Sequence, residues 1–300
     1  MYTLAKPLFF RTETPMHAGS GNDLGHIVPI QREKHTNFPN VQSSSLKGAF
    51  REHIEKNVAN SNPEDKISVH LTFGYDGYDI DNDSKNFFDQ KESRDYSGCI
   101  AFTDARLLLF PIKSYKGVYA LAICPQIIKK VHQELNFVCT HKTAFKHKDA
   151  FNYNRFKDLG DDASVANASF LAIDGKIILE EYAFDTSADE TVNAATKKLA
   201  NALADLLDEP DIVNRLVVLP DEVFRDFTVL STEVITRIKI QNDTGTVQES
   251  ALFTEEYLPA ESYMYTIVAT SRVFQHKETK KRREEKFPKI NINEASSVLD

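Results

Sequence analysis

Cysteine is scarce, tryptophan is missing and no long apolar run interrupts the chain. The three cysteines, Cys99, Cys124 and Cys139, are far apart and odd in number. They offer no disulfide framework, and no Cys-x-x-Cys pair suggests zinc, so a reducing cytoplasm is the expected location. Nothing approaches the ~18 consecutive apolar residues of a membrane-spanning helix. The start, Met1-Tyr2-Thr3-Leu4-Ala5-Lys6-Pro7, lacks the charged-then-apolar layout of a secretory signal. Neither a Gly-x-Ser-x-Gly elbow nor a His-Glu-x-x-His motif occurs, which removes support for hydrolases of those kinds. Basic excess is absent too. With Lys+Arg 36 against Asp+Glu 44, the net charge of -8 weighs against a generic nucleic-acid binder. That objection is global, whereas a phosphate track is local and can occupy one face of an acidic protein.

What is present is apolar material for a sizeable core: 41% hydrophobic residues, with 20 Phe and 11 Tyr. A length of 300 residues suits one domain with insertions or two small ones. Residues 4–12 read as a strand, followed by the glycine-punctuated loop His17-Ala18-Gly19-Ser20-Gly21-Asn22-Asp23-Leu24-Gly25. Ser43-Ser44-Ser45 offers a helix N-cap, and Leu46, Ala49, Phe50 and Ile54 recur at helical spacing, predicting a helix over about 46–57. Residues 59–97 are polar and aspartate-rich and read as a loop or insertion. Strands are predicted over 99–102, 105–110 and 117–123, then mixed helix and loop over 126–170 and a strand pair over 175–184. The clearest amphipathic helix covers 190–207. Strand-like runs on either side of Asn242-Asp243-Thr244-Gly245 predict a β-hairpin over 234–247. Strands and helices alternate irregularly, the mark of an α+β fold.

Several constellations invite chemistry. Gly19-x-Gly21-x-x-x-Gly25 could bring backbone amides close to phosphate. The dinucleotide fingerprint has other spacing and must open an amphipathic helix, whereas Pro29-Ile30-Gln31-Arg32-Glu33 follows here. A nucleotide-dependent metabolic enzyme using this loop is therefore kept only as an alternative from another class. Asp79-x-Asp81-x-Asp83 begins like a calcium loop, but Ser84 and Gln90 stand where Gly and Glu are required, leaving a solvated insertion. His17, His26 and His35 are too widely spaced for one helix face and lack companion cysteines, so no metal site is assigned. His17, beside the glycines, could contact RNA or shuttle a proton. Arg32, Lys34, Lys47 and Arg51 form a locally basic stretch. With Ser44 and Ser45 at a helix start, Lys47 in the first turn opposes the helix dipole unless an anion sits there. An ordinary capped helix explains the serines equally well. The run His276-Lys277-Glu278-Thr279-Lys280-Lys281-Arg282-Arg283-Glu284-Glu285-Lys286 reads as a solvated basic face able to attract RNA without specificity.

Taken in order, these stretches resemble one family. Thr14-Pro15-Met16-His17-Ala18-Gly19-Ser20-Gly21, Pro29-Ile30-Gln31-Arg32-Glu33-Lys34-His35-Thr36 and Ser44-Ser45-Leu46-Lys47-Gly48 come first. Asp104-Ala105-Arg106, Lys116-Gly117-Val118-Tyr119-Ala120, Ile178-Leu179-Glu180-Glu181, Leu219-Pro220-Asp221-Glu222-Val223-Phe224 and Glu255-Glu256-Tyr257-Leu258-Pro259 follow. The chain is similar over residues 10–260 to the RAMP-superfamily backbone subunits of type III-B CRISPR effectors, the fourth subunit of the Cmr module. The resemblance implies a ferredoxin-like RNA-recognition core, one domain over 1–300 with an insertion at 59–97 and a protruding hairpin thumb at 236–259. It implies a subunit that polymerises along guide crRNA, presents target RNA, and sits beside further copies of itself and other Cmr-module subunits, away from membranes. The RNA-contacting residues expected on this basis are His17, Gly19, Ser20, Gly21, Arg32, Ser44, Ser45, Lys47, Arg51, Thr244, Leu252 and Phe253.

Many members of that family cleave target RNA with an aspartate placed just before the Pro-Ile-Gln-Arg segment. Here the interval is His26-Ile27-Val28, without a carboxylate. Ile and Val can neither bind metal nor activate a 2′-hydroxyl, so slicing is expected to be weak or lost and no catalytic residue is assigned. Were the chain an active endoribonuclease, His17, Asp23 and His26 would be the candidates. A divalent metal such as Mg would then be needed, and otherwise no cofactor is expected. The end, Ser297-Val298-Leu299-Asp300, also lacks the glycine-rich closing strand usual in the family.

Overall fold

The computed structural model describes residues 2–21, 27–58, 62–75, 96–140, 147–157 and 159–273. The principal strands and helices, in chain order, are β1 (Tyr2–Arg11), β2 (Ile27–Val28), β3 (Asn40–Val41), α1 (Ser43–Val58), α2 (Pro63–Phe73), β4 (Gly74–Tyr75), β5 (Tyr96–Ser97), β6 (Ile100–Phe102), β7 (Ala105–Lys113), β8 (Tyr119–Ile123) and α3 (Pro125–Thr140). There follow β9 (Ser164–Val165), β10 (Ala172–Ile173), β11 (Lys176–Leu179), β12 (Tyr182–Asp185), α4 (Glu190–Leu207), β13 (Leu216–Val218), α5 (Asp221–Leu230), β14 (Glu233–Ile240), β15 (Val247–Tyr257) and β16 (Tyr263–Ser271).

An 8-stranded sheet in the order β1-β16-β7-β8-β13-β9, with β3 added on β7 and β6 on β16, forms the centre of this α+β fold. Its core is β7, whose Leu107, Leu108, Leu109 and Phe110 are each at most 2% exposed. Four consecutive buried residues require cover on both faces of the strand, because successive side chains point to opposite sides. Pro111 is tolerated because it lies beyond the β7 residues that pair with β16. Most of the sheet is antiparallel, but β13 runs parallel to β8.

The helix α4 follows its sequence pattern closely. Asp189 caps it by accepting hydrogen bonds from Thr191 N and Val192 N, and Val192, Thr196, Leu199, Ala200 and Leu203 are buried along one stripe. The hairpin β14–β15 is also where turn chemistry placed it. Gly245 sits at φ +67° and donates its N–H to Gln241 O at 2.9 Å, while Gln241 N donates to Thr246 O at 2.9 Å.

Two expectations need correction. The stretch 59–97 is not simply a loop: it carries α2, started by Asn62, whose side chain accepts from Asp65 N, and by Pro63 in the first turn. Ile67, Val69, Leu71 and Phe73 of this helix are buried, so apolar burial overrides the polar composition around it. Gly98 holds its C-terminal end, since a Cβ there would lie 2.3 Å from Thr72 O and 2.4 Å from Phe73 C. The aspartates of the apparent calcium loop lie outside the described residues, as do the basic run and the C-terminal end. The second correction concerns α1, which begins at Ser43, so the serines form its first turn and do not cap it. Gln42 O accepts from Leu46 N at 3.0 Å, which makes Gln42 the cap position. Asp104 Oδ1 accepts from Ser43 N at 2.8 Å and satisfies the helix end from another part of the chain.

Candidate functional site

The glycine loop is clasped at both ends. Met16 and Leu258 exchange backbone hydrogen bonds at 2.9 Å, and beyond them Gln31 N donates to Ala18 O at 2.7 Å and Ser20 N to Pro29 O at 2.9 Å. His17 lies inside this clasp. Its Nδ1 is 2.7 Å from Glu256 O, and a carbonyl can only accept, so Nδ1 is the donor and Nε2 is the ring nitrogen turned toward Gly19. Gly19 is needed opposite that nitrogen, because a Cβ on residue 19 would come within 2.9 Å of it.

Glu256 is the hub of the site. It is 8% exposed, and its carboxylate accepts from Arg32 Nη2 at 2.5 Å, Thr232 Oγ1 at 2.9 Å and Ile30 N at 3.1 Å. Arg32 also donates to the backbone of Asn37 at 2.8 Å and Thr228 at 3.1 Å. Sequence reasoning placed Arg32 on RNA and overlooked Glu256. The structure joins them as a nearly buried ion pair that fastens the base of the hairpin to the segment before β3.

Gln31 joins the glycine loop to the start of α1. Its Nε2 donates to Gly19 O at 3.0 Å and lies 3.4 Å from Ser45 Oγ, and its Oε1 accepts from Gln42 N at 2.7 Å. Gly19, Ser45 and His17 are thus gathered into one region, with Ser44 and Ser45 exposed on the first turn of α1. The cations behave differently from the expected phosphate track. Lys47 Nζ donates to Ile100 O at 3.0 Å, and burial lowers its pKa. Arg51 Nε donates to Glu55 Oε1 at 2.6 Å across one helical turn. Such a partly exposed i,i+4 pair is weak enough to exchange for an incoming phosphate.

The hairpin extends this region outward. The register Val234↔Glu256, Thr236↔Thr254, Ile238↔Leu252 and Ile240↔Val247 puts these pairs on one face. On it, Val234, Ile238, Ile240, Val247 and Leu252 are 50–69% exposed. Phe253, paired with Arg237, is on the opposite face, where the Arg237 guanidinium lies 5.1 Å from the Tyr257 ring and 3.3 Å from Glu255. Leu252 and Phe253, grouped together in the sequence reading, therefore point to opposite sides. Thr244 is exposed at the tip and bonds to Gln241 and Thr246. Asp23 and His26 lie outside the described residues. The next two residues, Ile27 and Val28, pair in parallel with Thr254 and Glu255, so β2 forms the hairpin's third strand. Among the described residues, no group of three or more His, Cys, Asp or Glu could hold a metal ion, and no helix is long and apolar enough to cross a membrane.

The chain matches the model of the RAMP superfamily over residues 9–295. It is 32% identical over 260 residues to the CRISPR system Cmr endoribonuclease Cmr4 of Pyrococcus furiosus, covering 86% of this chain and 78% of that protein. It is 27% identical to the CRISPR system CMR subunit Cmr4 of Saccharolobus solfataricus, covering 88% of this chain and 84% of that protein. Among solved structures, an oligomeric Cmr4 from Pyrococcus furiosus superposes with a TM-score of 0.63 at 24% identity, over 94% of this chain and 88% of that one. A chain of the type III-B Cmr-beta complex bound to cognate target RNA gives a TM-score of 0.66 at 20% identity, over 96% of this chain and 90% of that one. These two structures share the fold, which is a RAMP core of the ferredoxin-like kind.

Proposed function

We propose that this chain, which belongs to the RAMP superfamily and to its Cmr4 branch, is a guide-RNA-holding backbone subunit of a type III-B CRISPR ribonucleoprotein. In this reading it polymerises along crRNA beside other Cmr-module subunits, presents target RNA and serves antiviral defence in the cytoplasm as a single RAMP domain. The observation that carries the proposal is the exposed apolar face of β14–β15, held at its base by the buried Arg32–Glu256 pair. A two-stranded ribbon with exposed Ile238, Ile240 and Leu252 has the chemistry to wedge between bases, at a cost of roughly a few kcal/mol per unstacked step. Phosphates next to the wedge would meet Gly19, Ser20 and Gly21, the Ser44 and Ser45 hydroxyls, and Lys47 and Arg51 once displaced from their internal partners. Contacts of this kind read backbone and not sequence, as a holder of any guide requires.

Target cleavage is proposed to be weak or lost, because His26-Ile27-Val28 supplies no carboxylate. The curated relative from Pyrococcus furiosus is called an endoribonuclease, which favours a second reading in which Asp23 or His26 cuts with a divalent metal, assisted by His17. Two measurements separate the possibilities. The native assembly should contain short RNA of mixed sequence in a particle far larger than the 34.0 kDa chain; an RNA-free monomer would reject the holder reading. Labelled target RNA matched to the guide should stay intact on that assembly with Mg present, and regularly spaced fragments would establish the cutting subunit instead.

A further inference from the structure

The hairpin leaves one strand edge open. Its sheet has the order β14-β15-β2, so β14 is hydrogen-bonded on one side and turns the other toward solvent. Edge strands of folded proteins are usually blunted by proline, by a bulge in the edge strand or by a covering segment, because their unpaired N–H and C=O groups template pairing with another chain. β14 is an unbroken run of eight residues, Glu233-Val234-Ile235-Thr236-Arg237-Ile238-Lys239-Ile240, without proline. The register shift between Ile238 and Ile240 puts the hairpin's extra residues on β15 and leaves the outer strand regular. Val234, Ile238 and Ile240 are 50–56% exposed, so the edge is apolar as well as open.

The side chains of β14 complement those of a second copy of β14. In an antiparallel pair about a two-fold axis, residues equally far from the axis stand opposite each other. With the axis at Thr236, Val234 faces the partner's Ile238 and Glu233 faces the partner's Lys239, each twice over. The apolar pairs share one face of the sheet and the charged pairs the other. Neither Glu233 nor Lys239 has an ion-pair partner among the described residues, so the contact supplies one to each. Other symmetric registers do worse. Centring on Arg237 sets it against the partner's Arg237, and centring on Ile238 sets Arg237 against the partner's Lys239. Centring on Ile235 shortens the paired stretch and offers Glu233 to an arginine that Glu255 already holds at 3.3 Å.

We propose that two RNA-free copies of this chain associate through their β14 edges, paired antiparallel about a two-fold axis at Thr236. The main-chain groups of both edges are then satisfied, and the two hairpins form one continuous sheet. Such a contact is isologous: it closes after two copies and cannot propagate into a filament. It is small beside the ~1,200 Å² at the low end of standard interfaces, so the pair is expected to be weak, forming at roughly tens of micromolar. It needs no RNA, and its failure leaves the guide-holding proposal untouched.

Sedimentation of the full chain, freed of nucleic acid, over about 1–200 µM tests the pairing. A monomer–dimer equilibrium is expected. Glu233→Lys and Lys239→Glu each set two like-charged pairs across the contact and should weaken dimerisation about tenfold or more. The double variant Glu233→Lys/Lys239→Glu restores both pairs, and so does an equimolar mixture of the two single variants, whose edges are complementary. Each should return to within about threefold of the parent. Melting curves matching the parent's establish that the single variants remain folded. Thr236→Cys gives a check without charge changes: it stands opposite its own copy, so diamide should link it into a disulfide dimer, whereas Val234→Cys, several residues from its counterpart, should stay unlinked. A monomer at every concentration, open-ended larger species, single variants as tight as the parent, no recovery in the mixture, or equal cross-linking of both cysteine variants overturns the proposal.

Discussion

Replacing Glu256 by alanine tests the hub of the site most directly. The Arg32 and Glu256 side chains are 14% and 11% exposed and 2.5 Å apart, so removing the carboxylate strands a guanidinium in a place water barely reaches. Thr232 Oγ1 and Ile30 N lose their acceptor at the same time. Breaking one side of a buried pair typically costs ~3–5 kcal/mol, and residual exposure of both groups argues for the lower end, about 3 kcal/mol. For a chain of this length the melting entropy is of order 0.6 kcal/mol/K, which converts that loss into a Tm decrease of about 5 °C. The single variants Glu256→Ala and Arg32→Ala and their combination, followed by thermal unfolding, form the assay. Because each single change leaves a charge without its counterpart, the double variant should lose at least ~1.5 kcal/mol less than the sum of the singles. Strict additivity would refute the pairing as the fastening between the hairpin base and the segment before β3. A Glu256→Ala protein with an unchanged Tm would refute the burial argument itself.

Four further outcomes are expected. Gly98→Ala places a Cβ 2.3 Å from Thr72 O, a backbone atom that cannot swing aside, so chemical denaturation should show a loss of about 2–3 kcal/mol with α2 loosened. Asp189 has its pKa lowered from 3.8, first by the Thr191 side-chain hydrogen bond and then by the Thr191 amide. Its stabilisation is therefore full above 3.8 and lost as pH falls through the depressed folded-state pKa; Asp189→Asn, which keeps a capping oxygen, should flatten that acid limb of the Tm–pH curve. Leu252 is 69% exposed, so Leu252→Ser should leave stability within ~0.5 kcal/mol while weakening RNA binding by ~1–3 kcal/mol; equal RNA affinity in filter binding would rule out Leu252 as a wedge. Lys47→Ala and Arg51→Ala should each weaken guide binding across sequences and reduce the salt slope by about 1, and an unchanged slope in both would remove them from the phosphate track.

What the sequence could and could not convey follows the range over which each feature is encoded. The hairpin and α4 were legible because their determinants are local: Gly245 at a turn that demands positive φ, Asp189 at a cap, and an apolar stripe from Val192 to Leu203. The helix α2 was signalled as well, by Asn62-Pro63-Glu64-Asp65, which is a start sequence in its own right. The aspartates further along the insertion outweighed it, and its buried residues do not fall on a single narrow stripe. The order of the large sheet was out of reach, since β1 pairs with β16 from the other end of the chain and no local pattern specifies that partner.

The site divides along the same line. His17, Gly19 and Ser45 were identified by residue type and do converge, but the side chain that gathers the last two is Gln31, which stood in the Pro-Ile-Gln-Arg segment with no task of its own. Arg32 was singled out as an RNA contact, and the carboxylate it pairs with in the fold, Glu256, stands 224 residues away. A charge count along the sequence treats such an arginine as available to phosphate; a buried carboxylate at 2.5 Å makes it part of the scaffold. The same reasoning shifts the expected contacts with RNA outward, from the arginine to the hydroxyls, the glycine backbone and the apolar ribbon that the Arg32–Glu256 pair holds in place.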